Sequence, residues 1–265
     1  MKLQILQHLP RSFPWLDRIH CFPSLDSTNL HAKIMASQGA PNGTVILAEH
    51  QTAGRGRMGR SFHSPQGKGI YLSVILRPSC KADQLMHLTC STGVAICNAV
   101  EQTAGIRPGI KWINDLVCDN RKVGGILVEM SLNAQGFVDY AVIGVGINCT
   151  QTPEDFPEEI RHIAASLSTV TGKAVSIPML AASMIAELSN LSQSLLLEKE
   201  QAMCQYRRDC ITLGKDIAIH SGTDIKTAFA LDVDSDGALV VQYPDGTEGR
   251  VNSGEVSVRG LYGYT

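Results

Sequence analysis

The sequence predicts an α+β fold in which a larger domain, residues 1–212, is followed by a small β-barrel over residues 213–265. Two observations carry this prediction. Between Asp26 and Asn148 strand-like and helix-like segments alternate, and the longest helical pattern comes after them. After Gly214 the chain changes to short alternating apolar runs separated by Ser-Gly and Asp-Gly pairs, which are typical of β-hairpins.

The alternating part begins with a short helix over Ser27–Ser37, because the side chains of Asp26 and Ser27 suit an N-terminal cap. Apolar residues at helical spacing predict an amphipathic helix over Asp83–Thr103. Runs rich in β-branched residues predict strands. These strands are Thr44–Glu49, Gly69–Leu76, Ile110–Ile113, Gly125–Ser131 and Phe137–Gly146.

The longest helical pattern covers Pro178–Arg208, where four leucines and a methionine recur every three or four residues. Pro178 suits the first turn of a helix, since a proline there removes no hydrogen bond. The strands predicted after this helix are Asp216–His220, Ala228–Val233, Ala238–Tyr243, Arg250–Val251 and Glu255–Arg259.

Composition narrows the classes of protein to which the chain can belong. Of its 265 residues, 44% are apolar and 18% are charged, which favours a sizeable core, and the formal net charge of −2 lacks the basic excess of nucleic-acid-binding proteins. No apolar run reaches the roughly 18 residues of a membrane span, and the N-terminus has no secretory pattern. We therefore expect a soluble, cytoplasmic protein with neither DNA nor membrane as its partner.

Several patterns suggest metal or dinucleotide binding, but the residues around them do not fit such sites. The eight cysteines form no C-x-x-C pair, and the eight histidines lack the spacing of zinc ligands. The letters of Gly54–Gly59 match G-x-G-x-x-G, but Pro65 and a strand follow where a dinucleotide site needs a helix. Asp232–Gly237 begins like a calcium loop, yet Tyr243 stands where the loop needs its closing glutamate, so a hairpin turn is expected.

The segment Gln51–Arg60 predicts an anion site. It combines three glycines with three arginines directly after a predicted strand. Glycines leave the backbone N–H groups accessible, and guanidinium groups are planar, permanently charged donors that match carboxylates and phosphates. The alternative for this segment, taken alone, is a solvated basic turn or an RNA-binding tract.

A second candidate segment runs through Lys111-Trp-Ile-Asn-Asp115 and Arg121–Glu129. A strand that ends in Asn-Asp presents an amide beside a carboxylate, which suits Mg²⁺, a ribose or an amine. Lys122 opens the next strand, and Gly124-Gly125 permits close approach of a ligand or a neighbouring chain. The alternative is an ordinary hairpin with Asp115 and Lys122 paired on its surface.

Together these segments resemble the biotin–protein ligase family over about residues 26–259. The matching motifs stand in the family's order: Asp26-Ser-Thr-Asn29, Gln51 with Gly54–Arg60, Lys111-Trp-Ile-Asn-Asp115, Arg121-Lys-Val-Gly-Gly125, Gly144-Val-Gly-Ile-Asn148, and Gly254-Glu255 with Arg259. The resemblance implies a mixed β-sheet flanked by helices, of the class II synthetase-like or biotin–lipoyl ligase type, and a C-terminal SH3-like β-barrel. It also implies an enzyme that uses ATP to convert biotin to biotinyl-5'-AMP and transfers biotin to a lysine of a carrier protein.

The resemblance assigns roles to individual residues. Biotin is expected to meet Ser27, Thr28, Asn29, Gln51, Gly54, Arg55, Gly56, Arg57, Lys122, Gly124 and Gly125. The nucleotide is expected to meet Arg57, Arg60, Phe62, Asn114, Asp115, Asn148, Glu255 and Arg259. The expected catalytic residues are Arg57, Lys111, Lys122 and Asp115, and Asp115 is also the expected ligand of Mg²⁺.

Two departures from the family pattern are visible. Ile113 replaces a proline that is common in its motif, and about 25 residues precede Asp26, too few for the winged helix by which some relatives repress transcription. The form expected is therefore the ligase alone, acting on the biotin carboxyl carrier protein of acetyl-CoA carboxylase or a similar carboxylase. A homodimer through sheet edges is compatible with the resemblance. The alternatives are a lipoate or octanoate ligase or transferase of the related fold, and a biotin-dependent regulatory module.

Overall fold

The structure, a computed structural model, describes residues 1–252 and the backbone of the strand at 257–260. The helices are α1 Lys2–Leu6, α2 Thr28–Ser37, α3 Leu88–Ala104, α4 Glu158–Arg161, α5 Leu167–Thr171, α6 Ile177–Ser194 and α7 Lys199–Asp209. The strands of the larger sheet are β1 Ile19–Phe22, β2 Thr44–Ala48, β3 Gly69–Leu76, β4 Gly109–Lys111, β5 Asp115–Cys118, β6 Arg121–Leu132 and β7 Val138–Asn148. The strands of the smaller sheet are β8 Asp216–Ser221, β9 Asp224–Val233, β10 Leu239–Gln242, β11 Glu248–Val251 and β12 Ser257–Gly260.

The larger sheet is mixed, as predicted. Its seven strands lie in the order β1-β2-β3-β7-β6-β5-β4, where β1 and β2 are parallel and the other neighbours are antiparallel. Helices cover both faces. Ala32 and Ala36 of α2 pack on Ile46, Ile75 and Val142, while α3 and α6 bury the opposite face in the main core. The candidate site lies on the α2 face.

The smaller sheet is antiparallel in the order β11-β10-β9-β8-β12, which fits the expected SH3-like barrel. The predicted domain boundary after residue 212 falls in the connection between α7 and β8. Side chains of the first domain donate hydrogen bonds to the smaller sheet and its turns. Trp112 Nε1 donates to the carbonyl of Gly237 over 3.0 Å, and Arg207 Nε donates to that of Val233 over 2.6 Å.

Most predicted elements are confirmed, but the single helix predicted over Pro178–Arg208 is wrong. The structure has two helices, and the first ends at Ser194. In a continuous helix, the carbonyl of Leu195 would accept from the N–H of residue 199. Here it accepts instead from Nε2 of the buried His87, over 3.0 Å. A partner more than a hundred residues away ends the helix, which the local spacing of apolar residues does not reveal.

The predicted strand Ile110–Ile113 is also corrected. The strand β4 ends at Lys111, the chain turns over residues 112–114, and β5 begins at Asp115. The peptide bond between Trp112 and Ile113 is cis. The backbone N–H of Trp112 donates to the side chain of Thr212, and the carbonyl of Ile113 accepts from the buried Tyr206 hydroxyl. These contacts with the end of the first domain hold the turn.

The described part of the chain has no helix with both the length and the apolar character needed to cross a bilayer.

Candidate active site

One cavity of about 790 Å³, counted with its open mouth, lies on the α2 face of the larger sheet. Its lining comes from the start of α2, the loop after β2, the β4–β5 turn and strands β6 and β7. The lining residues are Ser27, Thr28, Asn29, Gln51, Arg55, Gly56, Arg57, Met58, Arg60, Ser61, Phe62, Asn114, Asp115, Lys122, Gly125, Ile126, Leu127, Gly144, Val145 and Gly146. Segments more than a hundred residues apart therefore meet in one place.

The N-terminus of α2 forms one wall of the cavity. Ser27 caps the helix, since its hydroxyl accepts from the backbone N–H of Leu30. The carboxamide oxygen of Gln51 accepts from the backbone N–H of Thr28 over 2.9 Å and lies 3.1 Å from the Thr28 hydroxyl. A backbone N–H can only donate, so the oxygen of Gln51 must face α2 and its nitrogen must point the other way.

The nitrogen of Gln51 donates to the hydroxyl of Ser64 over 2.9 Å, and that hydroxyl donates to the carbonyl of Phe62. Gly54 lies against this contact. A Cβ at position 54 would stand 2.4 Å from the Phe62 carbonyl oxygen and 2.7 Å from Ser64 Oγ. The glycine is therefore needed for close packing behind the cavity, and the side chain of Gln51 is held in one orientation.

The glycine–arginine loop folds back on itself. The N–H of Phe62 donates to the carbonyl of Gly54 over 2.8 Å, and that of Gly56 donates to the carbonyl of Arg60 over 2.7 Å. At the tip Met58 has φ 54°, a left-handed conformation in a residue other than glycine. This geometry directs a row of guanidinium-bearing residues toward the cavity.

Arg57 is the arginine of this loop whose contacts in the cavity are best defined. Its Nη1 donates to the carboxamide oxygen of Asn114 over 3.0 Å. Burial lowers the pKa of the guanidinium from its usual value, against the opposing charge of Asp115. A guanidinium stays protonated even so, so Arg57 is a partly desolvated positive charge, and its interaction with an anion is stronger than in open water.

The β4–β5 turn and β6 complete the polar wall. Lys122 Nζ lies 2.6 Å from Asp115 Oδ1, and both side chains are partly buried, at 28% and 19% exposure. Asn114 is fixed through its backbone and its side chain, which both bond to Ile126. A Cβ at Gly125 would touch the Lys122 amine at 3.3 Å, so the glycine leaves room for this ion pair.

Two glycines of β7 form the floor. A Cβ at Gly146 would stand 2.5 Å from the ring of Phe62, and a Cβ at Gly144 would overlap the carboxamide of Asn29. Phe62 packs edge-on against Tyr71, with ring centroids 6.4 Å apart. The alternation along β7 turns both glycines to the same face, which lets Phe62 and Asn29 lie directly on the sheet.

Most of the residues assigned from the sequence line the cavity, and a few do not. Gly54, Gly124, Lys111 and Asn148 are not among the lining residues. Lys111 is buried in β4, and Asn148 donates to the carbonyl of Ala165 behind the cavity. Glu255 and the side chain of Arg259 lie outside the described residues.

Seven lining residues were not assigned from the sequence: Met58, Ser61, Ile126, Leu127, Gly144, Val145 and Gly146. Gly144 and Gly146 belong to a motif that had been singled out, and their spacing of two on a strand was a signal that both face one side. Ile126 and Leu127 carry no such signal, since they read as ordinary strand residues.

Known proteins resemble this chain in sequence and in fold. Residues 21–148 match the biotin/lipoate A/B protein ligase family, and residues 212–259 match the biotin protein ligase C-terminal domain. The bifunctional ligase/repressor BirA of Bacillus subtilis is 35% identical over 234 residues, which cover 84% of this chain and 68% of that protein. This chain belongs to the biotin protein ligase family.

Two further members of the family are similar over most of their length. The biotin–[acetyl-CoA-carboxylase] ligase of Mycobacterium tuberculosis is 34% identical over 220 residues, 80% of this chain and 79% of that protein. Among solved structures, the biotin protein ligase of Aquifex aeolicus in complex with biotin and ATP has a TM-score of 0.77 at 26% identity. That match covers 91% of this chain and 98% of the other. The likeness includes both domains of the biotin protein ligase fold.

Proposed function

We propose that this protein is an ATP-dependent biotin–protein ligase that forms biotinyl-5'-AMP and then transfers biotin to a lysine of a carrier protein. One observation carries the proposal: a single cavity holds a fixed polar wall, Thr28 and Gln51, beside a cluster of positive charge, Arg57 and Lys122. A ligase of this kind needs both, because it must recognise a neutral ring and must bring two anions together.

The first step joins the biotin carboxylate to the α-phosphorus of ATP, and pyrophosphate leaves. The reactants repel each other, so the barrier falls when fixed positive charge faces the oxygens on which charge accumulates. Arg57 and Lys122 meet this requirement, since both line the cavity and each is held by a hydrogen bond or ion pair. Closure of the loop 54–60 over the substrates keeps water from the mixed anhydride.

Biotin is held at the α2 wall. Ser27, Thr28 and Gln51 offer hydroxyl and amide groups whose orientations are set by the protein, which suits the ureido ring. A site that pairs with the polar groups of its ligand rejects analogues that lack them, because buried donors and acceptors would then be left unpaired. Arg55 is assigned to the carboxylate end of biotin.

The nucleotide is assigned to the other end of the cavity. Phe62 packs on Gly146 and lines the cavity, so we assign its ring to the adenine, while Arg60 and Asn114 line the neighbouring wall. Among the lining residues that the structure describes, Asp115 is the one carboxylate. Mg²⁺ is commonly held by one or two carboxylates together with substrate phosphates, so Asp115 fits as its protein ligand, and the metal would neutralise phosphate charge when bound.

In the second step a lysine amine of the carrier, having lost its proton, attacks the acyl carbon and AMP leaves. We assign Asp115 to the orientation of that amine because it lines the cavity beside Lys122. We assign the carrier to the biotin carboxyl carrier class, as in acetyl-CoA carboxylase, after the activity in the name of the Mycobacterium tuberculosis relative.

The test is ATP–pyrophosphate exchange with biotin, lipoate and octanoate supplied separately to the purified protein. We expect exchange that depends on biotin and stays near background with the other two acids, followed by labelling of a carrier domain. Exchange that depends on lipoate or octanoate would assign the chain to the related ligases instead. Biotin binding without exchange would make it a regulatory module.

A further inference from the structure

A second cleft lies among the helices that cover the other face of the larger sheet. Helices α6 and α7 both pack on α3, and the space between them measures about 1540 Å³ with its open mouth. We call this space the helix cleft. None of the described residues assigned to biotin or ATP lines it. Its floor is formed by one side of α3, with Ser91, Val94, Ala95, Asn98 and Glu101.

Contacts between the helices define the two ends of the helix cleft. At one end, Nε2 of His87 donates to the carbonyl of Leu195 over 3.0 Å, which brings the start of α3 to the connection between α6 and α7. At the other end, the amide nitrogen of Asn98 donates to Glu187 Oε2 over 3.3 Å. Ser91 lies near the first end and is seven residues from Asn98, so about 10 Å of α3 separates the two ends.

Ser91 is an unsatisfied polar group on the floor of the helix cleft. It is only 2% exposed, and its hydroxyl has no hydrogen-bond partner in the part of the chain that the structure describes. A serine in a helix can donate to the carbonyl four residues earlier, here that of His87, but Ser91 does not. Because a buried polar group without a partner costs free energy, this hydroxyl points to a ligand that reaches the floor.

Glu187 is a carboxylate held by neutral groups at the other end. Its oxygens accept from the amides of Gln102 and Asn98, over 3.2 and 3.3 Å. The Asn98 amide is fixed in this orientation, because its oxygen accepts from Arg107 Nη1 over 3.0 Å and a guanidinium can only donate. Glu187 forms no ion pair with any described residue. A half-buried carboxylate of this kind attracts a cation.

Both ends of the helix cleft carry a negative charge. Three carboxylates and two guanidinium groups meet at the first of them: Glu101, Glu187, Asp209, Arg107 and Arg208. Arg208 is exposed, so solvent screens its charge more than that of the half-buried Glu187. The opposite end has the carboxylate of Glu198, and the neighbouring Lys199 is already paired with Asp236 over 2.6 Å.

The deeper lining between these ends is apolar. Val94 and Ala95 form the floor there, while Leu191 of α6 and Ala202 of α7 stand on either side. An aliphatic chain gains from burial against such residues. A polyol or a nucleotide would instead place polar groups against them without hydrogen bonds, which is costly.

We propose that the helix cleft binds a linear aliphatic polyamine. One terminal ammonium lies at Glu187, the methylene chain lies over Val94 and Ala95, and the other terminal ammonium donates to the Ser91 hydroxyl beside Glu198. An ammonium has three N–H donors and no acceptor, which matches the acceptors at both ends. The inference is separate from the proposed function, because the cleft and the candidate active site share no described lining residue.

Calorimetric titration of amines into the full chain, at fixed ionic strength, tests the proposal. Spermidine is the probe, because its extended chain can reach both ends of the cleft. Ethylenediamine can reach only one end at a time. We expect spermidine to bind at one site per chain, and ethylenediamine to bind at least about tenfold more weakly, since one of the two anchors is lost.

Variants at the two ends locate the site. Glu187→Gln keeps the shape and removes the charge, and should raise the Kd for spermidine at least about tenfold. Ser91→Ala removes the hydroxyl and should raise it about fivefold. Glu159→Gln removes an exposed carboxylate outside the cleft, and Ser168→Ala removes another buried hydroxyl that lacks a described partner. Both control variants should bind spermidine as the wild type does.

Thermal unfolding without ligand separates lost contacts from a loosened fold. Ser91→Ala and Ser168→Ala each remove an unpaired buried hydroxyl, so neither should lower the Tm. Absence of saturable spermidine binding by the wild type overturns the proposal, as does unchanged binding in Glu187→Gln or in Ser91→Ala. Equal weakening by Glu159→Gln and Glu187→Gln also overturns it, because the amine would then be attracted to the surface as a whole.

Discussion

Lys122 Nζ lies 2.6 Å from Asp115 Oδ1, where the start of β6 passes the turn between β4 and β5. Arg57 reaches the same place from the glycine–arginine loop through Asn114. Two positive charges and one carboxylate therefore border one side of the cavity. The proposed acyl-adenylate chemistry depends on this group, because it supplies the charge that two anionic substrates need.

The first prediction concerns these two cations. Lys122→Ala and Arg57→Ala should each lower biotin-dependent pyrophosphate exchange by at least about 100-fold, a loss of roughly 2.7 kcal/mol of transition-state stabilisation. Lys173→Ala and Arg208→Ala remove exposed charges outside the cavity and serve as matched controls. Near-normal exchange in both cavity variants would remove Arg57 and Lys122 from the mechanism.

The second prediction concerns the aromatic ring on the cavity floor. If Phe62 stacks on adenine, Phe62→Ala should raise the KM for ATP about tenfold, since stacking of a base on an aromatic side chain contributes about 1–3 kcal/mol. Phe62→Trp should keep most of the affinity. Gly146→Ala should act in the same direction as Phe62→Ala, because its Cβ would displace the ring that now lies 2.5 Å from that position. Steady-state kinetics with each substrate varied in turn would check this, and a rise confined to the KM for biotin would contradict it.

The third prediction concerns stability away from the cavity. Arg107 donates through Nε and Nη2 to both oxygens of Asp209, over 2.8 and 2.6 Å, and the Asp209 side chain is only 7% exposed. Removal of one partner leaves a buried charge unpaired, which typically costs about 3–5 kcal/mol. Arg107→Met should thus lower the free energy of unfolding by about 3 kcal/mol or more. The double variant with Asp209→Leu should recover part of this loss. Urea denaturation of both variants measures the recovery. If the double variant recovers nothing, the lost stability does not come from an unpaired Asp209 carboxylate.

The fourth prediction concerns pH. Burial acts to raise the pKa of Glu129, but its bonds to Lys33 and Asn29 hold the pKa below the ordinary value. A carboxyl group whose pKa is lower in the folded than in the unfolded state stabilises the fold at pH values above the unfolded-state pKa of about 4.3. This stabilisation is lost as the pH falls through the folded-state pKa. The difference in unfolding free energy between wild type and Glu129→Gln should be largest near neutral pH and shrink below about pH 4. A difference that stays constant from neutral to acid pH would contradict this prediction.

The parts of the fold that local patterns determine were predictable. The strand Gly69–Leu76 has the predicted bounds, and α2 begins at Thr28 behind the cap of Ser27, as its capping side chain indicated. The glycine–arginine loop was recognisable as a candidate anion site because folding alone seldom requires glycines and arginines to alternate. In each case the information lies within a few consecutive residues.

The remainder depends on partners that are distant in sequence. Asn29 and Glu129 are 100 residues apart, and nothing near either residue indicates that they share a hydrogen bond. The break between α6 and α7 depends on His87, which lies 108 residues from Leu195. Lys111 stands in a motif that resembles the family's, yet only the folded chain reveals that its side chain is buried in β4. Such relationships become visible only when the strands are in register.

The most direct test of the account is a crystal structure of the protein with biotin and a non-hydrolysable ATP analogue. We predict that the ureido ring will lie against Thr28 and Gln51, with Arg57 and Lys122 contacting the carboxylate and the α-phosphate beneath a closed loop 54–60. Ligands bound elsewhere on the chain, with residues 54–60 directed into solvent, would contradict the central claim.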